Sequence, residues 1–443
     1  MSRKEDWRYF FPFIKGCART NLKYRFDLSS ISLFFGRWIP FAFAVGITTG
    51  AIASLMDVVI IELNRLLTQN PPLLILYPLL VAIVTGYALS VEPSIGGPGI
   101  GYAILHLKTR YYIPFKTALL KLITSTLALS GGFIAGREGP SFFIGVAIGE
   151  WLGKAYGIGK KHKNLLGLIG GGAFTGALLK APLGSAIFAM ELEEMYNLDY
   201  RPFVPMIIAS IISYLTFSFF RGESAFIQLF KEPVWELKTI PYIVVMGLVI
   251  SLVIYAYTFI FHTCHCSSKF FELKVRPVVG TALALPVLLA LYLITRDTDF
   301  LSAPAHMGVV SKLAQLPLPI FIDIFIIVAV ILTTSLTLAF GVPGGLVLPN
   351  LLIGAAVGNI FGHIFPEQIV TFTLAGMGAA LAAGAKTPLA AIVMITEMTH
   401  ADVVIPMTAA IITSYTTSFG FSLYLGQEIK LKPMMEREGR DEP

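Results

Sequence analysis

Arg137 and Glu138 stand side by side in GGFIAGREGPSFFIG, residues 131–145, between glycines and with apolar residues on both flanks. Ionisable side chains inside an apolar run are costly to bury and by default mark a functional site. A glycine-rich turn followed by Pro140 reads as the start of a helix, where a proline's missing N–H does no harm. A carboxylate at a helix N-terminus occupies a natural anion seat. Glu138 is therefore expected to plug such a seat and to leave it when protonated or displaced. One group then couples anion occupancy to a proton. Arg137 stays charged at all working pH and is expected to turn away, toward a carbonyl or an acid. The plainer alternative is a buried Arg–Glu pair that only holds a turn.

Two further glycine-rich loops have the same character: GGPGIG, Gly96–Gly101, and GGLVLP, Gly344–Pro349. Glycine lets backbone N–H groups turn inward, and helix N-termini add positive potential without a cationic side chain. Glycines also serve close helix packing. Three loops around one intramembrane acid favour an anion site. Enzyme chemistry lacks its parts: there is no HExxH, His363 is isolated in GNIFGHIFP, and Ser141 has no histidine near it in sequence. No enzymatic activity and no cofactor are expected.

The elements that must position these loops are membrane helices. The 443 residues are 55% hydrophobic and only 14% charged, with a mean hydropathy of +0.75. Soluble domains carry about 25% charged residues. Solid apolar runs at Ile240–Phe261, Val278–Ile294, Pro319–Phe340 and Ile369–Ala385 are long enough to cross a bilayer. They lack the alternation of a membrane β-barrel. The expectation is an all-α polytopic protein of the lipid bilayer.

Net charge is +6. The first thirty residues hold seven basic side chains and three acidic ones. That bias places the N-terminus in the cytoplasm; no nucleic-acid partner is implied. A mixed-polarity segment precedes the first span near Ile31, so no cleavable signal peptide is expected. Three cysteines are too few for a disulfide framework. Cys264 and Cys266 with His262 and His265 form a soft-ligand cluster in FHTCHCSSK, but its spacing fits no standard zinc pattern. It reads as a polar loop, with no metal.

The chain repeats itself. PSFFIGVAIGEWLG (140–153) over PNLLIGAAVGNIFG (349–362) gives six identities in fourteen at an offset of 209. GAFTGALLKAPLGSAIFAME (172–191) over GAALAAGAKTPLAAIVMITE (378–397) aligns at an offset of 206. These superpose Glu138 on Val347, Lys180 on Lys386 and Glu191 on Glu397. The reading is a cytoplasmic segment 1–31, membrane repeats 32–235 and 236–426, and a short polar tail 427–443. Paired broken segments at matching places point to a binding site at the midplane. Residues and spacing leave the relative orientation of the repeats open.

GREGP, GGPGIG and GGLVLP together resemble the three signature loops of the CLC family of chloride channels and proton/anion exchangers. The resemblance covers about Ile31 to Leu425. It implies a homodimer with one pore per subunit, each subunit two inverted repeats with broken, re-entrant helices, in the inner membrane of a bacterial cell. Short C-terminal length implies none of the nucleotide-sensing domains that the family often appends. The resemblance puts the gate and proton-coupling group on Glu138. It puts anion contacts on Gly97, Pro98, Gly99, Ile100, Gly136, Arg137, Gly139, Gly345, Leu346, Val347 and, across a small gap, the Tyr424 hydroxyl.

Three positions depart from the family's pattern. Pro98 replaces a serine whose hydroxyl contacts the anion, which in the family goes with nitrate preference over chloride. Val347 replaces a phenylalanine. The inner proton-relay glutamate falls on Leu192, leaving Glu191, Glu193 and Glu194 as candidate relays or as a polar helix end. The leading expectation is proton-coupled exchange of chloride or nitrate. A passive anion channel and a fluoride/proton antiporter are the alternatives.

Overall fold

The computed structural model describes residues 34–109, 111–158, 162–193, 203–296, 306–314 and 316–424. The expected segments 1–31 and 427–443 lie outside these. Among the described residues, sixteen α-helices fall into two series of eight. The first is α1 Ile39–Thr68, α2 Pro71–Val91, α3 Ile100–Leu107, α4 Phe115–Ser130, α5 Glu138–Ala155, α6 Lys163–Leu179, α7 Pro182–Glu193 and α8 Phe203–Arg221. The second is α9 Ile240–Ser268, α10 Arg276–Thr295, α11 His306–Leu313, α12 Ile320–Thr337, α13 Val347–Gly362, α14 Ile369–Ala385, α15 Pro388–Thr399 and α16 Val404–Thr417. Long and short helices alternate alike in both. The expected boundary near residue 235 falls between α8 and α9.

The series run in opposite senses. α1 begins beside the end of α5, where Trp38 meets His162 and Phe41 meets Tyr156. It ends at the turn into α2, and α2 returns to the loop at Gly96–Gly99. α9 ends at that same loop, where His265 and Ser268 share a cavity with Gly97 and Pro98. Long helices α1 and α9 therefore run in opposite directions, as inverted repeats require. Seven helices among the described residues are long and apolar enough to span a membrane. They include parts of all four apolar runs singled out in the sequence. The protein is an integral, multi-pass membrane protein.

Burial separates the helices by role. α10 is mostly exposed along its apolar window, with 28% of it buried, whereas the window over α14 is wholly buried. The core is built by α5 against α6 and, in the repeat, α13 against α14. Glycines permit it: a Cβ on Gly145 would collide with Gly170 O, and one on Gly354 with Gly376 O. Small residues at four-residue spacing let backbones approach and so serve packing. Hydroxyls in these spans bond back to carbonyls three or four residues earlier, as Thr333 does to Ala329 O at 2.7 Å. This satisfies polar groups where no water reaches.

The sequence FHTCHCSSK is not a loop: it forms the last turns of α9. His262 Nε2 lies 2.9 Å from Ser422 O. Among the described residues no three His, Cys, Asp or Glu side chains converge as a metal site.

Candidate anion and proton site

The site forms where the two inverted repeats meet. Gly136 N–H donates to Gly345 O at 2.9 Å, and Gly345 N–H donates to Gly136 O at 2.7 Å. This two-residue antiparallel bridge joins the loops that start α5 and α13. The positive ends of two buried helices therefore converge on one point. Pro140 and Pro349 each stand third in their helices, within the first turn.

Glu138 lies across this bridge. Its Oε1 accepts the Val347 N–H at 2.6 Å. A Cβ on either Gly136 or Gly345 would collide with its carboxylate, so both glycines are required by the close approach of a charged group. The second oxygen, Oε2, has no hydrogen-bond partner, and the residue is 1% exposed. On one side a gap of about 20 Å³, lined by Glu138, Val347 and Phe226, separates the carboxylate from a vestibule of about 800 Å³. That gap is about the size of one water.

Arg137 leaves the site, as its side chain was expected to. Its Nη1 donates to Asp57 Oδ1 at 2.5 Å, and Arg221 Nε holds Asp57 Oδ2 at 2.7 Å. Asp57 on α1 thus bridges two guanidinium groups in the wall of the vestibule, beside Lys180.

On the far side of Glu138 lies a second cavity of about 290 Å³, lined by Gly97–Gly99, Leu338, Gly341, His265 and Tyr424. Gly97 and Gly99 have φ of +63° and +84°, a region that favours glycine. Gly99 stands immediately before α3, and Ile100 is the first residue of that helix. Pro98 presses its carbonyl against Gly139, where a Cβ would collide with it. Tyr424 is 3% exposed and its hydroxyl has no partner. The loop bearing it is tied down: Leu423 N–H donates to Gly384 O at 3.1 Å, and Lys386 Nζ holds Ser418 O at 2.5 Å.

The structure brings together most of the residues singled out and corrects four of them as anion donors. The N–H groups of Gly136 and Gly345 bond each other, and that of Gly97 is given to Gly341 O at 3.2 Å. Arg137 contributes no side-chain contact to the seat because Asp57 holds it. These residues shape the site. Gly99, Ile100, Gly139, Leu346 and Val347 stand at the converging helix starts, and Tyr424 lines the second cavity.

The candidate relays separate differently. Glu191 Oε1 and Oε2 accept the N–H groups of Leu389 and Ala390, at 3.1 and 2.8 Å. Its repeat mate Glu397 accepts those of Leu183 and Gly184, at 3.1 and 2.7 Å. Each carboxylate caps the other half's helix, α15 or α7. Glu191 thus clasps α15 with both oxygens, each accepting one backbone N–H. Leu192 is buried. Glu193 closes α7, but its side chain, like the whole of Glu194, lies outside the described residues.

Two groups escaped the sequence reading. Lys121 on α4 is fully buried, and its Nζ donates to Ile95 O at 2.7 Å and Gly97 O at 2.8 Å. It places an amine directly behind the Pro98 loop. The signal was present: Lys121 is the lone charge in the apolar run TALLKLITSTL. Tyr257 on α9 is the other, its hydroxyl bonded by Thr334 Oγ1 at 2.9 Å, with no exposure. Its position among apolar residues gave no sign of that partner.

Converging helix starts, an acid folded over them and a cavity on either side define a membrane anion-transport site. The family model described as voltage gated chloride channel matches residues 81–418. The chain belongs to that family. An uncharacterised protein of Methanocaldococcus jannaschii is 26% identical over 381 residues, 86% of this chain and 92% of that one. The H(+)/Cl(-) exchange transporter ClcA of Salmonella arizonae is 27% identical over 352 residues, 76% of this chain and 73% of its own. Among solved structures, a CLC-type fluoride/proton antiporter aligns with a TM-score of 0.74 at 20% identity, over 91% of this chain and 99% of its own. A slow cyanobacterial Cl-/H+ antiporter aligns at 0.71 and 21% identity, over 86% and 94%. These two likenesses concern the fold.

Proposed function

We propose that this protein exchanges inorganic anions for protons across a membrane, with Glu138 as both gate and proton carrier. The observation that carries this is the Glu138 carboxylate seated on the Gly136–Gly345 bridge against the Val347 N–H. A carboxylate there occupies an anion's place. Protonation removes its charge and its advantage over a mobile anion at converging helix N-termini. The proton then leaves with the gate as the anion enters. Backbone N–H groups of Gly99, Ile100, Gly139, Leu346 and Val347 and the Tyr424 hydroxyl hold the anion. Lys121 supplies positive potential from behind the loop.

Chloride, nitrate and fluoride are the candidate substrates. Pro98 offers neither hydroxyl nor N–H. A missing donor penalises a small, strongly hydrated ion more than a diffuse one, which favours nitrate over chloride. Relatives named as H(+)/Cl(-) exchangers support the coupled reading. The assembly is a homodimer with one pore per subunit, in a bacterial inner membrane, and the N-terminal face of α1 is cytoplasmic. No enzymatic activity belongs to it.

A passive channel is the second reading, favoured by Leu192 at the relay position and by the engagement of both Glu191 oxygens. Simultaneous recording of anion efflux and external pH from reconstituted liposomes, with nitrate, chloride and fluoride in turn, separates the two. Proton uptake locked to anion efflux is the expected result. Efflux without proton movement would make Glu138 a gate alone.

A further inference from the structure

A titratable group on the N-terminal face of α1 would serve protons that reach Glu138 from that side. Among the described residues at the end of α7, Leu192 cannot serve, and Glu191 has both oxygens on helix α15. A buried acid–base cluster lies on this face at the far ends of the very helices whose starts build the anion site. His106 is in the last turn of α3, and Glu150 is near the end of α5. Lys163 opens α6, whose other end, at Lys180, reaches the opposite vestibule.

The three side chains touch. His106 Nε2 lies 3.4 Å from Glu150 Oε2, and Lys163 Nζ lies 2.9 Å from Glu150 Oε1. Their side chains are 8%, 0% and 4% exposed. Glu150 Oε2 also accepts the Ile113 N–H at 3.0 Å, and Lys163 Nζ donates to His106 O at 3.1 Å. One carboxylate is thus fixed between an ammonium, a backbone donor and an imidazole. Among the elements packed on α3, the charged groups in contact with the imidazole system are Glu150 from α5 and Lys163 from α6.

We propose that His106, held by Glu150 and Lys163, is the proton-transfer group of the N-terminal face, replacing the missing carboxyl at Leu192. This rests on the exchange reading above. Imidazole is the side chain that exchanges a proton near neutrality without special help. Only one side chain lies between it and the cavity: Tyr102 stacks on His106 with ring centroids 6.1 Å apart, and Tyr102 itself lines the cavity that holds Pro98 and Tyr424. His106 stands six residues past the start of α3, roughly 9 Å along its axis. The imidazole takes a proton from water at the face and gives it to a water that passes the edge of Tyr102 into the cavity. That water passes it to the Glu138 carboxylate. Only N–H and O–H bonds change, and the imidazole returns to its starting form.

The test uses the full-length protein in phosphatidylethanolamine–phosphatidylglycerol liposomes, recording nitrate efflux and proton uptake together for the parent, His106→Gln and Glu150→Gln. The expected result is a fall of at least threefold in the proton-to-anion ratio in His106→Gln, with a smaller fall in Glu150→Gln, while anion efflux persists. An unchanged ratio in both variants overturns the assignment. So does a parallel loss of both fluxes at constant ratio, which marks a structural role. If the parent protein moves anions but no protons, the exchange reading itself fails. That outcome is distinct from either result with the variants.

Discussion

Val347 donates its N–H to Glu138 Oε1 at 2.6 Å, and these two residues hold the same place in the two halves of the chain, 209 positions apart. The same offset relates Gly136 to Gly345, which exchange both backbone hydrogen bonds. The inverted repeats therefore meet residue upon equivalent residue. The symmetry is broken at this contact by side chain alone: one half offers a carboxylate, the other an N–H. A two-fold scaffold thereby acquires a single gate.

Glu138→Gln keeps the shape of the gate and removes its charge change. Proton coupling is expected to vanish, and anion flux to become insensitive to pH. Parallel anion and pH electrodes on liposomes check this. Retained pH-driven exchange in the variant would falsify Glu138 as the carrier.

Gly345→Ala places a methyl group where the Glu138 carboxylate rests. The carboxylate must move off its seat or the bridge must open. Faster anion flux with a lower proton-to-anion ratio is expected. Liposome efflux measures both, and a coupling ratio equal to the parent's would show that the carboxylate does not need this seat.

Lys121→Met removes the amine behind the first loop and leaves Ile95 O and Gly97 O without their donor. Each lost bond to a charged group is worth about 1.5–3 kcal/mol, offset by relief of a buried charge. Anion affinity is expected to fall about tenfold or more, with a smaller change in stability. Isothermal titration with chloride and with nitrate reads the affinity.

Pro98→Ser returns a hydroxyl to the loop. Selectivity is expected to move from nitrate toward chloride in a competition flux assay with both ions in the same vesicles. An unchanged ratio would remove Pro98 from the selectivity determinants.

Glu191→Gln and Glu397→Gln each weaken two carboxylate–backbone bonds of the reciprocal clasp. Each is expected to lower stability by about 1–3 kcal/mol, and Glu191→Gln to leave the proton-to-anion ratio intact. Thermal unfolding in detergent and the dual recording measure these effects. A changed ratio in Glu191→Gln would return it to the proton path.

Much of this was legible in the residues. Apolar runs fixed a helical membrane protein because a bilayer admits few other solutions. The repeat appeared because both halves keep glycines where α5 and α13 cross α6 and α14 at close range. Glu138 stood out because burying a carboxylate among glycines is costly without a role.

Contacts between distant segments were decided only by the fold. Whether a loop's N–H is free for an anion depends on its partner: Gly136 and Gly345 lie 209 residues apart yet take each other's donors. Glu191 read as a candidate relay or a polar helix end, and Glu397 as its repeat mate, until the tertiary structure set each on the opposite half's helix start. Lys121 was visible as a lone charge, but its meaning lay in two carbonyls of a loop some twenty-five residues away. Hydropathy pattern is local and survives in sequence. Hydrogen-bond partnership and electrostatic environment belong to pairs of distant residues, and only packing brings those pairs together.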